Sequence, residues 1–363
     1  MHRHQIAMSE TVKPAPSHNV AARSGLYRAA IVGAASLKGK EIAEMLNERN
    51  FPAVDVRLLD DDESLGQLEA MGDEISFIQS LRAEQFEHVD FTFFASDAEC
   101  TRKNWKRARD AGSAIVDVSA ALEDEPGASV RSLWVERERG QIAPPELQPG
   151  PCVTAHPVAV ALSLFLLRTQ KFGEIRRVAA TVFEPASEHG QRGMDELHQQ
   201  TINLLSFQPL PKDVFDTQVA FNMIARYGPA SQPSLDSIED RILRHYRKIA
   251  GSEAPKPSVM LLQAPIFHGH AMAVFVEMEH PPDLQLLSQA LAGDHITISQ
   301  PEDSPSNVTS AGQANILLSI RGDAVHTNGV WLWSAIDNLR ITAVAAVECA
   351  ESMTATRPSG KIQ

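Results

Sequence analysis

The pattern of apolar positions begins with a strand, a turn and a helix. Residues 29–32 are a short apolar run that ends at Gly33, which predicts a buried strand followed by a tight turn. From Ser36 the apolar positions take a helical period, with apolar residues of the segment 37–46 able to share one face. A strand, a glycine turn and a helix form the first unit of a dinucleotide-binding fold, in which the helix N-terminus faces a pyrophosphate.

The alternation of strands and helices continues to about residue 155. Further buried strands are predicted at residues 54–60, 91–96, 114–119 and 152–155. Asp97 is expected to cap a basic helix that runs through Arg109, and residues 123–150, rich in Glu, Pro and Gly, are predicted as a connection. This order predicts an α/β fold, a Rossmann-type doubly wound parallel sheet.

After residue 156 the pattern changes. Residues 158–167 are an unbroken apolar helix that must be buried. Strands are predicted at residues 175–183, 259–264, 271–279, 316–320 and 330–336. Helices are predicted at residues 194–205, 238–250 and 284–291, and a final helix at 337–353 can return to the first domain. Strands in succession with helices gathered apart predict an α+β second domain whose sheet is covered on one face.

Composition and charge narrow the class of protein. The 363 residues suffice for two domains and a large core. The net charge of −13 argues against nucleic acid or an anionic membrane as the main partner, and no apolar run approaches the ~20 residues of a membrane span. The three cysteines, Cys100, Cys152 and Cys349, are too few and scattered for a disulfide framework or a zinc cluster, so a reducing cytoplasm is expected.

The domain limits follow from these patterns. Residues 1–25 are rich in Ser, Pro, Ala and His without an apolar core, and we expect a disordered tail. The nucleotide-binding domain is expected at 26–155, completed by 337–355, and the second domain at 156–336.

The glycine turn departs from the dinucleotide fingerprint, which places glycines at its first, third and sixth positions. Gly33 is followed by Ala35 and Ser36, and Gly39 lies six residues after Gly33. Gly39 can serve helix–strand packing, but the glycine for close approach to the pyrophosphate is missing. The motif alone is therefore a weak signal for a nucleotide.

The end of the second strand bears on the choice of nucleotide. Asp60 begins the acidic run 60–63, where a carboxylate can bond the ribose 2′-hydroxyl and repel a 2′-phosphate. This favours NAD over NADP if a nucleotide binds. A solvated acidic turn explains the same run at least as well.

Seven stretches, in the family's order, resemble the aspartate-semialdehyde dehydrogenase family from about Tyr27 to Met353. They are AIVGA (30–34), AIVDVS (114–119), HPVA (156–159), SEHG with ELHQQT (187–190, 196–201), AFN (220–222), APIFHGH (264–270) and WSAIDNLR (333–340). HPVA stands where the family has Asn-Pro-Asn-Cys. The Usg-like sister group, which shares the fold and also departs at the cysteine, is a closer candidate.

The resemblance implies a reduction in two steps. In that family a cysteine thiolate attacks an acyl phosphate and expels phosphate, and hydride from a nicotinamide cofactor, NAD or NADP, then reduces the thioester. The nucleophile position falls on Ala159, which has no lone pair to attack with, and the acid/base histidine falls on His270. Glu123 stands at the phosphate-binding arginine, and Gln263 at the arginine that clamps the substrate carboxylate.

The resemblance assigns the remaining site positions in the same way. The glutamine beside the nucleophile falls on Glu184, the acidic residue of the substrate-side helix on Glu239, and a basic position on Arg241. The cofactor-binding positions it implies are Gly33, Ala35, Ser36, Leu37, Gly39, Asp60 and Asn338.

The resemblance also implies that residues 156–336 are a substrate and dimerisation domain and that the protein is a homodimer. The alternating residues 271–279 and the run 330–333 are expected to supply an apolar face that one subunit leaves open. A charge at Val274 would weaken the dimer if that side chain faces the partner subunit.

Three functional hypotheses stay open on the sequence. The first is a semialdehyde dehydrogenase relative that has lost the covalent route, with its small-molecule ligand unidentified. The second is a non-catalytic nucleotide-binding or scaffolding homodimer. The third is an altered NAD-dependent enzyme that uses His270 without a covalent intermediate.

Two other kinds of chemistry are not predicted. His268 and His270 lie two apart and share one side of a strand, but no third ligand is evident, so no metal is expected. Cys152, seven residues before Ala159, is expected to be a buried structural cysteine rather than a nucleophile.

Overall fold

The computed structural model describes residues 27–61, 66, 68–71, 74–144, 146, 149–300 and 302–355. The predicted tail at 1–25 and acidic positions 62 and 63 lie outside the described residues. None of the helices in the described part of the chain combines the length and the apolar character that crossing a bilayer requires.

The predicted strands and helices occur in the predicted order, with further short elements between them. In chain order the strands are β1 (Tyr27–Val32), β2 (Ala53–Asp60), β3 (Leu68–Met71), β4 (Glu74–Phe77), β5 (Gln79–Ser80), β6 (Phe91–Phe94), β7 (Ala114–Asp117), β8 (Ser129–Arg131), β9 (Cys152–Thr154), β10 (Ile175–Glu184), β11 (Ser258–Gln263), β12 (His270–Met278), β13 (Ile296–Ile298), β14 (Ile316–Gly322) and β15 (Gly329–Ile336). The α-helices are α1 (Leu37–Glu48), α2 (Ala98–Asp110), α3 (Leu133–Arg139), α4 (Pro157–Phe172), α5 (Gly190–Leu205), α6 (Leu235–Ala250), α7 (Leu284–Leu291) and α8 (Asn338–Thr354).

The first sheet is parallel and is covered on both faces. Its strand order is β5-β2-β1-β6-β7-β9-β8, and every pairing is parallel. Ala29 and Ile31 of β1 pack in one core with α1 and α8, whereas Ala30 and Val32 pack in a second core with Trp105 of α2. The predicted doubly wound sheet is confirmed.

The second sheet is mixed, with helices packed against one face. Its order is β11-β10-β12-β15-β14-β13, with antiparallel pairings among β10, β12, β15 and β14. Along β12 the side chains of Met272, Val274 and Val276 are buried, and Phe275 on the opposite face is partly exposed. Val274 has 0% exposure, so it faces the helices of its own subunit and does not lie on the open face.

Capping residues fix the starts of the helices that frame the site. Ser36 accepts a hydrogen bond from the N–H of Gly39 at α1, and Asp97 accepts one from Cys100 at α2, as the sequence predicts. At α8, Asp337 accepts bonds from the first-turn N–H groups at 3.0 Å. The last helix therefore begins one residue after the predicted start.

The final helix returns to the first sheet. α8 packs against α1, and the Arg340 guanidinium contacts Glu41 Oε1 at 2.8 Å and also pairs with Glu48. Arg49 in turn bonds Glu351 at 2.7 Å. These ion pairs hold the end of the chain to the helix that follows the glycine turn.

The prediction of residues 123–150 as a plain connection is wrong. The segment contains β8, which extends the parallel sheet beside β9, and α3, which buries Leu133, Trp134 and Val135. The strands β3, β4, β5 and β13 were not predicted either, and none of them is longer than four residues.

Candidate functional site

The turn between β1 and α1 is built around two glycines. Gly33 has φ +82°, and a Cβ there would lie 2.4 Å from the backbone nitrogen of Ser96. A Cβ on Gly39 would lie 2.1 Å from the carbonyl oxygen of Gly33, so only glycine lets the first turn of α1 approach so closely. Ser36 caps the helix and also donates to Ala95 O at 2.9 Å, which joins the turn to β6. Leu37 is the first residue of α1.

Asp60 ends β2 beside this turn. One carboxylate oxygen accepts the N–H of Ala35 at 2.7 Å, and the other accepts the N–H of Asp61 at 2.9 Å. The acidic group at the expected ribose position therefore also fixes the turn. These bonds give Asp60 a structural role that the sequence did not predict.

Asn338, predicted to contact the cofactor, has 0% exposure and lies at the start of α8. Its Nδ2 donates to Glu188 Oε1 at 2.7 Å, and its Oδ1 accepts the N–H of Gly269 at 3.1 Å. It thus joins the loop before β12 to the turn before α5.

Glu188 is the acidic centre of this region, and the sequence did not assign it a role. Its side chain is 2% exposed and lies 3.5 Å from Lys38 Nζ. Burial acts to raise the pKa of Glu188, but the charge of Lys38 and that of Arg241 outweigh it and hold the pKa well below its usual value. Glu188 is therefore an ionised carboxylate at neutral pH.

A pocket lies where the N-terminus of α4 meets helices from both sheets. Lys38 of α1 and Thr342 of α8 line it on one side, and Glu188, Arg241 and His245 line it on the other. His156, the residue before α4, also lines this pocket. The pocket combines the cations Lys38 and Arg241 and a helix N-terminus with the carboxylate of Glu188, in a volume of about 20 Å³.

Ala159 lies in the first turn of α4 and has 0% exposure. His156 caps this helix by accepting the N–H of Val158 at 3.3 Å, and its own N–H donates to His245 Nδ1 at 2.9 Å. Burial lowers the pKa of His156 well below its usual value, so this ring is neutral. The position that would hold a nucleophile carries only a methyl group.

His270 and Glu184 form a fully buried pair. His270 Nε2 lies 2.8 Å from Glu184 Oε2, and both side chains are 0% exposed. Glu184 is the last residue of β10 and His270 the first of β12, and the antiparallel register places Phe183 opposite Ala271. The ring of His156 stacks edge-on against that of His270 with 5.4 Å between the centroids.

The two other predicted catalytic residues, Glu239 and Arg241, differ in position, because only Arg241 lines the pocket. Glu239 Oε2 accepts the N–H of Leu261 at 2.8 Å, which joins α6 to β11, and Glu239 does not line the pocket described above. Arg241 does line that pocket, and its Nε has no hydrogen-bond partner in the described part of the chain.

The two expected anion-binding positions have internal partners. Glu123 bonds Arg244 at 2.6 Å and lies 3.2 Å from His245 Nε2. The hydrogen bond with His245, aided by Arg244 and opposed by burial, lowers the pKa of Glu123 to about 2. Gln263 accepts the Tyr227 hydroxyl at 2.6 Å, and its Nε2 donates to the carbonyls of Glu184 and Ala264.

Cys152 lies apart from the pocket at the N-terminus of α4. It is buried in β9, and the neighbouring Cys152 thiol together with burial raises the pKa of Cys349 of α8. All three cysteines are free thiols. The sequence assigned no role to the pocket residues Lys38, Glu188 and His245. Glu188 stands in the stretch SEHG, but the residues around it in sequence do not indicate that Lys38 and Asn338 are its partners.

Two family models match this chain, and both belong to the same family. Residues 28–153 match the model described as semialdehyde dehydrogenase, NAD binding domain, and residues 164–341 match semialdehyde dehydrogenase, dimerisation domain. The first match confirms the predicted cofactor class, NAD or NADP.

Relatives and solved structures agree with these matches. A USG-1 protein homolog of Pseudomonas aeruginosa is 31% identical over 315 residues, covering 86% of this chain and 92% of that protein. The aspartate-semialdehyde dehydrogenase of Rickettsia bellii is 28% identical over 345 residues, covering 91% and 98%. The structure of a probable aspartate-semialdehyde dehydrogenase from Pseudomonas aeruginosa is 29% identical and has a TM-score of 0.79, covering 91% of this chain and 98% of that one.

The predicted fold, the two domain types and the resemblance of the seven stretches therefore lead to one family. The chain belongs to the semialdehyde dehydrogenase family and contains both that family's NAD-binding domain and its dimerisation domain.

Proposed function

We propose that this protein is an NAD(P)-binding homodimer that has lost the covalent dehydrogenase reaction. The observation that carries the proposal is Ala159, which lies buried in the first turn of α4 beside the His156 cap. A methyl group cannot attack an acyl carbon, so no thioester forms for hydride to reduce. The nearest cysteine in sequence, Cys152, is buried in β9 and lies before the start of α4.

The internal partners of Glu123 and Gln263 support the same conclusion. A substrate that carries an acyl phosphate at one end and a carboxylate at the other needs a cation at each end. Glu123 is anionic and paired with Arg244, and the Gln263 amide already bonds Tyr227 and two carbonyls. Neither position is available to hold such a substrate. Within the pocket, Lys38 and Arg241 provide cationic groups for some other anionic small molecule.

We infer that nicotinamide nucleotides bind at the β1–α1 turn, with NADH preferred over NADPH. Gly33 and Gly39 shape the turn, the N–H groups of Ala35 and Ser36 bond Asp60 and Gly33 O, and Leu37 at the helix start lies where a pyrophosphate would bind. Asp60 and Asp61 place carboxylates at the end of β2, where they would repel a 2′-phosphate.

The dimer is proposed to form through the open face of the second sheet. Phe275 and Trp331 lie side by side there with ring centroids 5.0 Å apart, and Trp333 contacts Phe183 at 6.1 Å on the same sheet. An aromatic surface of this kind is typical of a two-fold interface, in which each subunit buries the same patch. The domain limits proposed for this assembly are 26–155 with 337–355, and 156–336.

We also infer a cytoplasmic location. None of the three cysteines forms a disulfide, although Cys152 and Cys349 are neighbours. Free thiols at this distance suit a reducing compartment.

The deciding experiment combines nucleotide binding with an activity assay. NADH and NADPH are titrated into the purified dimer by calorimetry, and phosphate-dependent oxidation of aspartate semialdehyde is measured on the same sample. We expect NADH binding without turnover above background. Turnover that is abolished by Cys152→Ser would contradict the proposal, because Cys152 would then be the nucleophile.

The Glu184–His270 pair favours a second candidate function. A buried carboxylate that orients an imidazole is the arrangement of a general base, so an NAD-dependent reaction through His270 without a covalent intermediate is chemically available. Hydride transfer with a panel of small hydroxy acids, lost in His270→Asn, would distinguish this candidate from a non-catalytic dimer.

A further inference from the structure

We propose that His156, Glu184 and His270 form a binding site for a divalent metal ion of the zinc class. One nitrogen or oxygen atom from each side chain lies within 4.8 Å of the others, and all three residues are buried. Two imidazole nitrogens and one carboxylate oxygen are a ligand set that zinc takes in proteins. The inference goes beyond the proposed function, because it does not depend on nucleotide binding.

Unpartnered polar atoms gather in this cluster. His156 Nε2, Glu184 Oε1 and His270 Nδ1 are each buried without a hydrogen-bond partner in the described part of the chain. A buried polar atom without a partner is unfavourable, and native proteins hold few of them. Each of the three residues in the cluster therefore has a buried polar atom to which a bound species could supply a partner.

Rigid elements position all three groups. His156 is fixed as the cap of α4, and Glu184 and His270 stand at adjoining ends of the antiparallel strands β10 and β12. Because strands and a helix start hold the ligands, little ordering is needed when an ion binds. His156 also lines the pocket at α4, so one ligand of the cluster borders that pocket.

Binding requires three local adjustments. The 2.8 Å hydrogen bond between His270 Nε2 and Glu184 Oε2 has to be given up or rearranged so that both side chains can ligate the ion. Ligand atoms in a tetrahedral zinc site lie roughly 3.4 Å apart, so the widest separation in the cluster has to contract by more than about 1 Å. Ligation through His156 Nε2 places the ring proton on Nδ1, which ends the 3.3 Å hydrogen bond from Val158 N–H. That bond is long and neutral, so the metal–nitrogen bond outweighs it.

The charges nearby bear on the fourth ligand. Lys38 lies 3.5 Å from the ionised Glu188, and the charge of Arg241 acts on both Glu188 and His156. Positive charge this close to a ligand of the cluster disfavours a bare divalent ion. We therefore expect the ion to carry an anionic fourth ligand, hydroxide or a small carboxylate, on the side that faces Arg241.

The site differs from the pair that the sequence suggests. His268 and His270 lie two apart, but the structure groups His270 with His156 and Glu184, and His268 is outside the cluster. Of the other two ligands, Glu184 comes from β10 and His156 from the start of α4.

The test uses the full chain and zinc itself. The wild type and the variants His156→Asn, Glu184→Gln and His270→Asn are incubated with ZnCl₂ and dialysed, and bound metal is measured by elemental analysis. We expect about one equivalent in the wild type and binding weaker by on the order of 100-fold in each variant. His268→Gln is the matched control and is expected to keep the ion. Any zinc bound by the histidines of residues 1–25 is the same in every sample, so it does not affect the comparison between variants.

Cobalt provides a readout that does not depend on the variants folding. Co²⁺ bound to the wild type is expected to show the intense visible bands of a four-coordinate site. A weak six-coordinate spectrum, or wild-type zinc retention no greater than that of His156→Asn, would overturn the proposal and leave a bridging water as the occupant. NADH titration of the same samples keeps this outcome separate from failure of nucleotide binding, since none of the three ligands belongs to the glycine turn.

Discussion

Glu123 accepts a hydrogen bond from Arg244 at 2.6 Å, so the segment after β7 of the first sheet is joined to α6, which packs beneath the second. Lys248 lies 3.7 Å from the same carboxylate, and His245 lies 3.2 Å from it. A position that would hold a phosphate in a dehydrogenase therefore connects two parts of the fold instead. The same residue makes the connection sensitive to acid.

Glu123→Gln is expected to destabilise the protein by roughly 1 kcal/mol at pH 7, a modest value because solvent screens the half-exposed Arg244. The folded pKa of Glu123 is about 2, below its usual 4.5. The stabilisation is therefore fully present above pH 4.5 and is lost as the pH falls toward 2. Thermal unfolding from pH 7 to pH 3 should show the two proteins converging. Asp124→Asn, at an exposed neighbour, serves as control; a constant difference across pH would contradict the assignment.

Gly39→Ala tests the close approach of α1 to its turn. Alanine normally favours a helix over glycine by about 1 kcal/mol. Here its Cβ would lie 2.1 Å from Gly33 O, so we expect a net loss of roughly 1–3 kcal/mol and weaker NADH binding. Urea unfolding and calorimetry measure the two effects. Lys40→Ala, at an exposed position of the same helix, should leave both unchanged, and a stabilised Gly39→Ala would show that the turn relaxes freely.

Ala159→Cys tests whether the nucleophile alone is missing. We expect no phosphate-dependent oxidation of aspartate semialdehyde above the wild type, because Glu123 and Gln263 still leave the substrate anions without partners. Intact mass confirms the new thiol, and NADH binding confirms that the fold persists. Activity regained by this single change would mean that Lys38 and Arg241 hold the substrate without the two lost positions.

Asp60→Asn is expected to narrow the preference for NADH over NADPH severalfold. Removal of one negative charge lowers the repulsion of a 2′-phosphate, whereas any loss from the weakened bond to Ala35 affects both nucleotides alike. The ratio of the two Kd values isolates the charge. Asp55→Asn, at the other end of β2, should not move the ratio; an unchanged ratio in Asp60→Asn would place the adenosine ribose elsewhere.

Phe275→Arg is expected to convert the dimer to monomers at micromolar concentration, as measured by sedimentation. Phe275 is partly exposed on the open face of the second sheet, so a charge there is tolerated by the monomer but not by a dry interface. Val274 is unsuitable for this test, because it is buried and a charge there would unfold its own subunit. Val54→Arg on the first sheet is the control. A wild type that sediments as a monomer would refute the dimer itself.

Local signals made most of the fold predictable. Asp97 marks the start of α2 because a carboxylate there can accept a first-turn N–H, and the apolar run of α4 must be buried wherever it packs. The segment with β8 and α3 was missed because its strand has three residues and its apolar positions are surrounded by charged ones. Elements this short depend on neighbours for their stability.

The candidate site was less predictable, since its contacts join distant parts of the chain. Lys38 and Glu188 are 150 positions apart, and His270 and Glu184 are 86 apart. The resemblance identified His270 and Glu184 singly, but only the register of β10 and β12 brings them together. Likewise nothing near Glu123 reveals that its partners lie on α6.

The return of α8 to α1 has a consequence for biosynthesis. The helix that closes one face of the first sheet is the last helix to leave the ribosome, after the whole of the second sheet. At ordinary translation rates of about 5–20 residues per second, the apolar side of α1 and β1 waits roughly 15–60 s for its cover. The later sheet can thus close before the earlier one, and the nascent chain needs its unfinished nucleotide-binding half shielded from aggregation during that interval.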